Sequence, residues 1–98
     1  MTLLRSSTFE TPAAAQEYVQ RTVDRNRDRI ARWLAGGEGD RLVLQAGFAG
    51  EVTGRLLPLG MVLAGRGPIP VRAVRVVLQR DDAAANRFVV FSAYPTED

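Results

Sequence analysis

Apolar residues recur along the first part of the chain at three- and four-residue steps, at Ala15, Tyr18 or Val19, Val23, Ile30, Trp33 and Leu34. Glu17, Arg21, Asp24, Arg25, Asp28 and Arg32 occupy the positions between them. That period predicts amphipathic helix over residues 8–34, with one stripe committed to a core. Thr11 followed by Pro12 marks a start, because threonine accepts from the orphan amides and proline lacks only a donor that the first turn does not use. The stripe loses its apolar member at Asn26, so a kink or break is predicted near Asn26 and Arg27. Gly36-Gly37 predicts the stop.

Beyond Gly39 the period changes to two. Residues 41–46, 52–57, 71–80 and 87–94 are rich in valine, leucine and phenylalanine and are bounded by glycine, proline or acidic residues, which predicts four strands. Asp81-Asp82 and Asn86 separate the last two, so these should form a hairpin and lie antiparallel. Residues 58–70 hold three glycines and three prolines, and this stretch predicts a loop with at most a short edge piece at residues 61–63. Helices followed by a run of strands predict an α+β domain, its N-terminal helices packed on a curved antiparallel sheet. Trp33 and Leu34 should meet that sheet at Phe88 or Phe91. At 98 residues and 46% hydrophobic, the whole chain, residues 1–98, is expected to form a single domain.

Composition narrows the chemistry. The chain has no cysteine and no histidine, which excludes a disulfide framework, a thiolate zinc site, a cysteine nucleophile and any histidine-dependent triad. All 13 basic residues are arginine, and against 11 carboxylates they leave a formal charge of only +2. A whole-protein field for capturing nucleic acid is therefore not expected, while local arginines remain able to fork onto phosphate. No apolar run approaches the length of a membrane span and no secretion signal is read at the start, so no membrane role is expected. The chain is expected to stay in the cytoplasm or to be carried out by another polypeptide segment.

Two constellations carry candidate chemistry. Alternation along the last strand groups Phe88, Val90, Ser92 and Tyr94 on one face and Val89, Phe91 and Ala93 on the other, making Ser92 and Tyr94 polar neighbours. Either Tyr94 rims the core with its hydroxyl in water, or the two hydroxyls face a ligand. On the third strand Arg75 shares a face with Val77 and Gln79, while Arg72 and Arg80 share the other with Val74, Val76 and Leu78. Such an arginine is either solvated on a one-sided sheet or aimed into a cleft. The cluster Arg25, Arg27, Arg29 and Arg32, interleaved with Asp24 and Asp28, reads as a solvated face. Glu51 and Asp40 have no partner at recognisable spacing, and Gly36-Gly37-Glu38-Gly39 follows a helix, the wrong order for a phosphate cradle.

Three segments in order resemble the ribonuclease A-like toxin domain found at the C-termini of bacterial contact-dependent inhibition proteins. They are Ser7-Thr8-Phe9 ahead of an alanine-rich helix, Ile30-Ala31-Arg32-Trp33-Leu34-Ala35-Gly36-Gly37, and Val74-Arg75-Val76-Val77-Leu78-Gln79-Arg80 leading to Ser92-Ala93-Tyr94-Pro95. Gly54-Arg55 resembles a pair common in the family's second strand. The resemblance implies a V-shaped antiparallel sheet with helices at one end, secretion as the tip of a larger toxin, and neutralisation by an immunity protein. It also implies RNA as substrate, cleaved without metal or other cofactor by attack of the 2′-hydroxyl on the adjacent phosphorus. The family's terminal threonine-x-tyrosine maps onto Ser92 and Tyr94 as catalytic groups, with Arg55 and Arg75 as substrate-binding partners for the phosphate.

The departure from the family lies in the N-terminal helix that supplies its histidine and a basic residue. Here histidine is absent throughout, and Arg5 is the one basic residue before Ser7. Transphosphorylation needs a base, an acid and cations, and tyrosine near 10, carboxylates near 4 and arginine above about 12 are poorly matched to proton transfer near neutrality. Loss of one such group costs roughly 10²- to 10⁴-fold, so cleavage should be weak or absent. The alternative is a non-catalytic module of the same fold that recognises an immunity protein or another protein partner. An active enzyme using Tyr94 with an arginine and a carboxylate of raised pKa is the third reading. An exposed strand edge also predicts self-association into a homo-oligomer or capture of a partner.

Overall fold

The computed structural model describes residues 5–58 and 69–97. Within them the order is β1 (Arg5–Phe9), α1 (Pro12–Arg25), α2 (Arg27–Leu34), β2 (Arg41–Gly47), β3 (Gly54–Pro58), β4 (Ile69–Val71), β5 (Ala73–Arg80) and β6 (Phe88–Thr96). This is an α+β arrangement. None of the helices among the described residues is long and apolar enough to cross a membrane.

The helices start and break where local chemistry directs. Thr11, in extended backbone, accepts from the Ala14 amide at 3.0 Å immediately before Pro12. At Asn26 the backbone leaves the helical region (φ −114°, ψ 21°), and the Asn26 side chain donates to the Thr22 carbonyl at 2.8 Å. The far end of α2 is held by Arg80, which donates to the carbonyls of Trp33 at 2.8 Å and Gly37 at 3.3 Å while lying over the Trp33 ring. A cation is suited to that end because the last carbonyls are unpaired and partly negative. The helix predicted from residue 8 begins instead at Pro12, since Thr8 and Phe9 belong to β1 and pair with Arg55 and Gly54 of β3. That pairing is non-local and leaves no periodic mark in five residues.

The strands form two antiparallel sheets of three, ordered β1-β3-β4 and β2-β5-β6, where the sequence predicts one curved sheet. The strand predicted over residues 71–80 is divided at Arg72, where the chain leaves the first sheet as β4 and enters the second as β5. Two contacts fix this corner. The Phe48 amide donates to the Arg72 carbonyl at 2.7 Å, and buried Thr53 spans the junction with its amide on the Val71 carbonyl (2.9 Å) and its hydroxyl on the Ala73 carbonyl (2.8 Å). The two prolines that enter the strands of the corner and the terminus, Pro70 and Pro95, both lie on edge strands, where a missing donor breaks no ladder. Of the loop predicted over residues 58–70, Pro58 closes β3 and Ile69-Pro70 open β4. The edge piece expected at residues 61–63 lies outside the described residues.

One face of the second sheet makes the core. Leu44, Ala46, Val74, Val76 and Leu78 meet Tyr18, Ile30, Trp33 and Phe48, with Leu34 and Phe88 packed at the margin. Burying each large side chain contributes about 1.5–3 kcal/mol. Trp33 is therefore seated as expected, against the sheet with Phe88 near it; Phe91 is 54% exposed and takes no part.

Candidate functional site

The other face of the second sheet is open. The strands that build it, β2, β5 and β6, contain no aspartate or glutamate. Cross-strand register lines up three rows on it: Gln45 with Arg75 and Tyr94, Val43 with Val77 and Ser92, and Arg41 with Gln79 and Val89.

Arg75 is the centre of the first row. Its Nη1 donates to the Tyr94 hydroxyl at 3.4 Å, and its Nε and Nη2 both reach Gln45 Oε1, at 3.2 and 2.9 Å. A neutral amide thus fixes the guanidinium without cancelling its charge. None of the ion pairs among the described residues involves Arg75. Ser92 stands two residues back along β6 on the same face, roughly 7 Å away by strand rise. A fixed cation, a phenol and a hydroxyl on one open face can hold a tetrahedral anion through charge-assisted hydrogen bonds.

Simple alternation misplaces half of β6. Between Val77 and Leu78 the register shifts, Ser92 pairing with Val77 but Val90 with Leu78, so Phe91 is an extra residue. The bulge returns Phe88 and Val90 to the helix side, where they line a groove of about 540 Å³ with Val19, Val23 and Ile30. Ser92 and Tyr94 therefore do not share a face with Phe88 and Val90; they share it with Arg75, Val77 and Gln79. A one-residue bulge inverts every side chain beyond it.

Arg55 is placed elsewhere. It lies on β3 in the first sheet, and its Nε donates to Glu10 Oε1 at 3.0 Å, with both side chains about half exposed. The neighbouring Gly54 is where β3 packs against β6 of the other sheet: a β-carbon there would stand 2.4 Å from the Thr8 carbonyl oxygen and 2.4 Å from Pro95 Cγ. Only glycine fits, and the residue it abuts follows Tyr94 directly.

A second polar cluster joins α1 to the loop before β3. Glu51 accepts from both terminal nitrogens of Arg21 at 2.9 Å and from the Tyr18 hydroxyl at 3.2 Å. The Arg21 hydrogen bonds hold the Glu51 carboxyl below the usual carboxylate range; the same contact raises Arg21, and burial, with Glu51 beside it, raises the Tyr18 phenol. Arg21 and Arg25 also lie over Phe48, at 4.6 and 4.2 Å from its centroid. This cluster ties a helix to a loop and leaves no free acid or base. Glu51 has the partner that the sequence did not reveal, because 30 residues separate it from Arg21. Arg25 is likewise packed on an aromatic ring, not merely solvated.

Gln45 is a candidate site residue that pattern reading overlooked. Alternation in β2 sets it on the open face beside Arg41 and Val43, but its partnership with Arg75 depends on a pairing of strands 30 residues apart.

The family model for the bacterial CdiA-CT RNAse A domain matches residues 1–95. Among solved structures, the fold is similar to the crystal structure of a CdiA-CT/CdiI complex from Y. kristensenii, with a TM-score of 0.86 and 19% identity, covering 98% of this chain and 80% of that chain. No curated protein matches.

Proposed function

The chain belongs to the family of bacterial CdiA-CT RNase A domains, and on that premise we propose that it binds RNA on the open face of the second sheet and cleaves it weakly by transphosphorylation. The observation that carries this reading is Arg75, fixed by Gln45 and donating to Tyr94, on strands that contain no carboxylate. In this reading the Arg75 guanidinium takes a bridging phosphate and carries the charge that grows on its oxygens. The Tyr94 and Ser92 hydroxyls hydrogen-bond the same group and set its orientation. Arg55 joins as a second cation by exchanging Glu10 for phosphate. The two sheets, meeting at Gly54 and Pro95, form the V whose hollow receives the strand. What this face lacks is a group that titrates near neutrality to take the 2′-proton and protonate the leaving 5′-oxygen, which keeps the rate low.

A second reading is recognition of a cognate immunity protein, favoured by the structural neighbour, which is a CdiA-CT/CdiI complex. The test measures both functions. Binding of a short RNA and its cleavage in the presence of a chelator are compared for the wild type and Tyr94→Phe. Loss of one hydroxyl should weaken binding by about 2- to 12-fold, the equivalent of 0.5–1.5 kcal/mol, with unchanged thermal stability. RNA binding that is absent in the wild type, or indifferent to both Tyr94→Phe and Arg75→Ala, leaves the immunity-protein reading in its place.

A further inference from the structure

The row built around Arg75 is repeated on the same face. Arg41 and Gln79 are directly opposed on β2 and β5, as Gln45 and Arg75 are, with the residue types exchanged between strands. Arg41 Nε donates to Gln79 Oε1 at 2.9 Å, as Arg75 does to Gln45. Each arginine then lies over an aromatic ring supplied by β6: Arg75 over Tyr94, at 5.9 Å from the centroid, and Arg41 over Phe91, at 3.7 Å. Phe91 reaches this face only because it is the bulged residue.

We infer that Arg41, Gln79 and Phe91 form a second nucleotide subsite, a stacking platform for the base of the nucleotide beyond the one whose phosphate is held at Arg75 and Tyr94. This rests on the RNA reading above and extends it from one phosphate to a strand. Phe91 is 54% exposed, and a phenyl ring at the surface of the chain is an available π-face. The guanidinium stacked on it presents a second planar surface, and RNA-binding proteins stack unpaired bases on both kinds of plane. With Nε committed to Gln79, the terminal nitrogens of Arg41 are left to donate to a base edge or phosphate. Three strand positions separate Phe91 from Tyr94, about 10 Å, a span of one to two nucleotides. Val43 and Val77 lie between the two rows, and no carboxylate on these strands repels the backbone. A protein partner would also meet exposed Phe91, Val43 and Val89, but such a surface gives no reason for two arginines each held by an amide beside an aromatic ring.

The experiment uses the full chain and two probes, 2′-O-methyl tetra-adenylate, which cannot be cleaved, and adenosine 3′-monophosphate, which reaches only the Arg75 row. Phe91→Ala and Arg41→Ala should each weaken the tetranucleotide by about fivefold or more, the loss of one stacked base, and leave the mononucleotide unchanged. Phe91→Trp should restore tetranucleotide binding, which a merely structural defect would not allow, and melting temperatures confirm that the variants are folded. Unchanged tetranucleotide affinity in Phe91→Ala, with the mononucleotide still bound, overturns the subsite and leaves the RNA reading standing. A wild type that binds neither probe overturns both. If Phe91→Ala instead weakens a cognate immunity protein and not the tetranucleotide, the platform is a protein interface and the inference fails.

Discussion

Replacing Gly54 by alanine tests the junction of the two sheets and its link to the site in one step. The added β-carbon would lie 2.4 Å from a backbone oxygen of β1 and 2.4 and 2.7 Å from two ring carbons of Pro95. Neither neighbour is the end of a flexible side chain, so relief requires movement of backbone. Overpacking of this kind costs about 1–3 kcal/mol, and the stiffer unfolded chain of alanine returns about 0.4–1 kcal/mol, which leaves a net loss of roughly 1 kcal/mol. For a domain of this size that is a fall in melting temperature of about 4–8 °C. Gly50→Ala is the control: its φ is +80° but nothing lies within 4 Å of the new carbon, so it bears only the left-handed backbone penalty. Thermal and urea unfolding of both variants give the comparison. Because Pro95 follows Tyr94, Gly54→Ala should also weaken RNA binding at a temperature where both variants are folded. A melting temperature for Gly54→Ala equal to that of the wild type would show that the sheets can part at no cost, and the account of the junction would be wrong.

The Glu51 cluster gives a pH prediction whose sign is set by its lowered pKa. The stability it adds is complete above the unfolded carboxylate value and is lost as pH falls through the folded one, so Glu51→Gln should flatten stability against pH in that acid range, measured by urea midpoints from pH 7 downward. The missing proton carrier gives another. Free imidazole at tens of millimolar should raise RNA cleavage by the wild type in proportion to its concentration, most strongly near its own pKa, and should do nothing for Arg75→Ala, as followed by product formation in the presence of a chelator.

What could be read from the sequence follows the range of the interactions involved. The Thr11-Pro12 start, the break at Asn26 and the stop after Leu34 are set within one or two turns, so their residues announce them. The hairpin between β5 and β6 is equally local: Asp81, whose carboxylate accepts from the Ala83 amide at 3.0 Å, shapes its own turn. By contrast β1 is a strand only because β3 is there to pair with it, and Arg72 divides a continuous valine-rich run only because Thr53 and Phe48 hold the chain as it changes sheets. No window of neighbouring residues contains that information.

The site shows the same division at finer grain. Period two correctly puts Ser92 and Tyr94 on one face, since the bulge lies before both; it assigns the wrong companions because one uncounted residue, Phe91, inverts the strand ahead of them. Arg75 and Tyr94 were both conspicuous in the sequence, as an arginine among valines and as the end of a motif resembling a known family. Gln45 and Gln79 were not, because glutamine on an exposed strand face is unremarkable until register sets it opposite an arginine. Those two amides nonetheless decide what the arginines can do. An arginine paired with a carboxylate, as Arg55 is with Glu10, must break that pair before it meets phosphate, whereas Arg75 and Arg41 are positioned by neutral partners and keep their charge for a ligand. In the proposed reading the binding capacity of the face thus rests on residues that carry no charge and no chemistry of their own, brought to their arginines only by the pairing of β2 with β5.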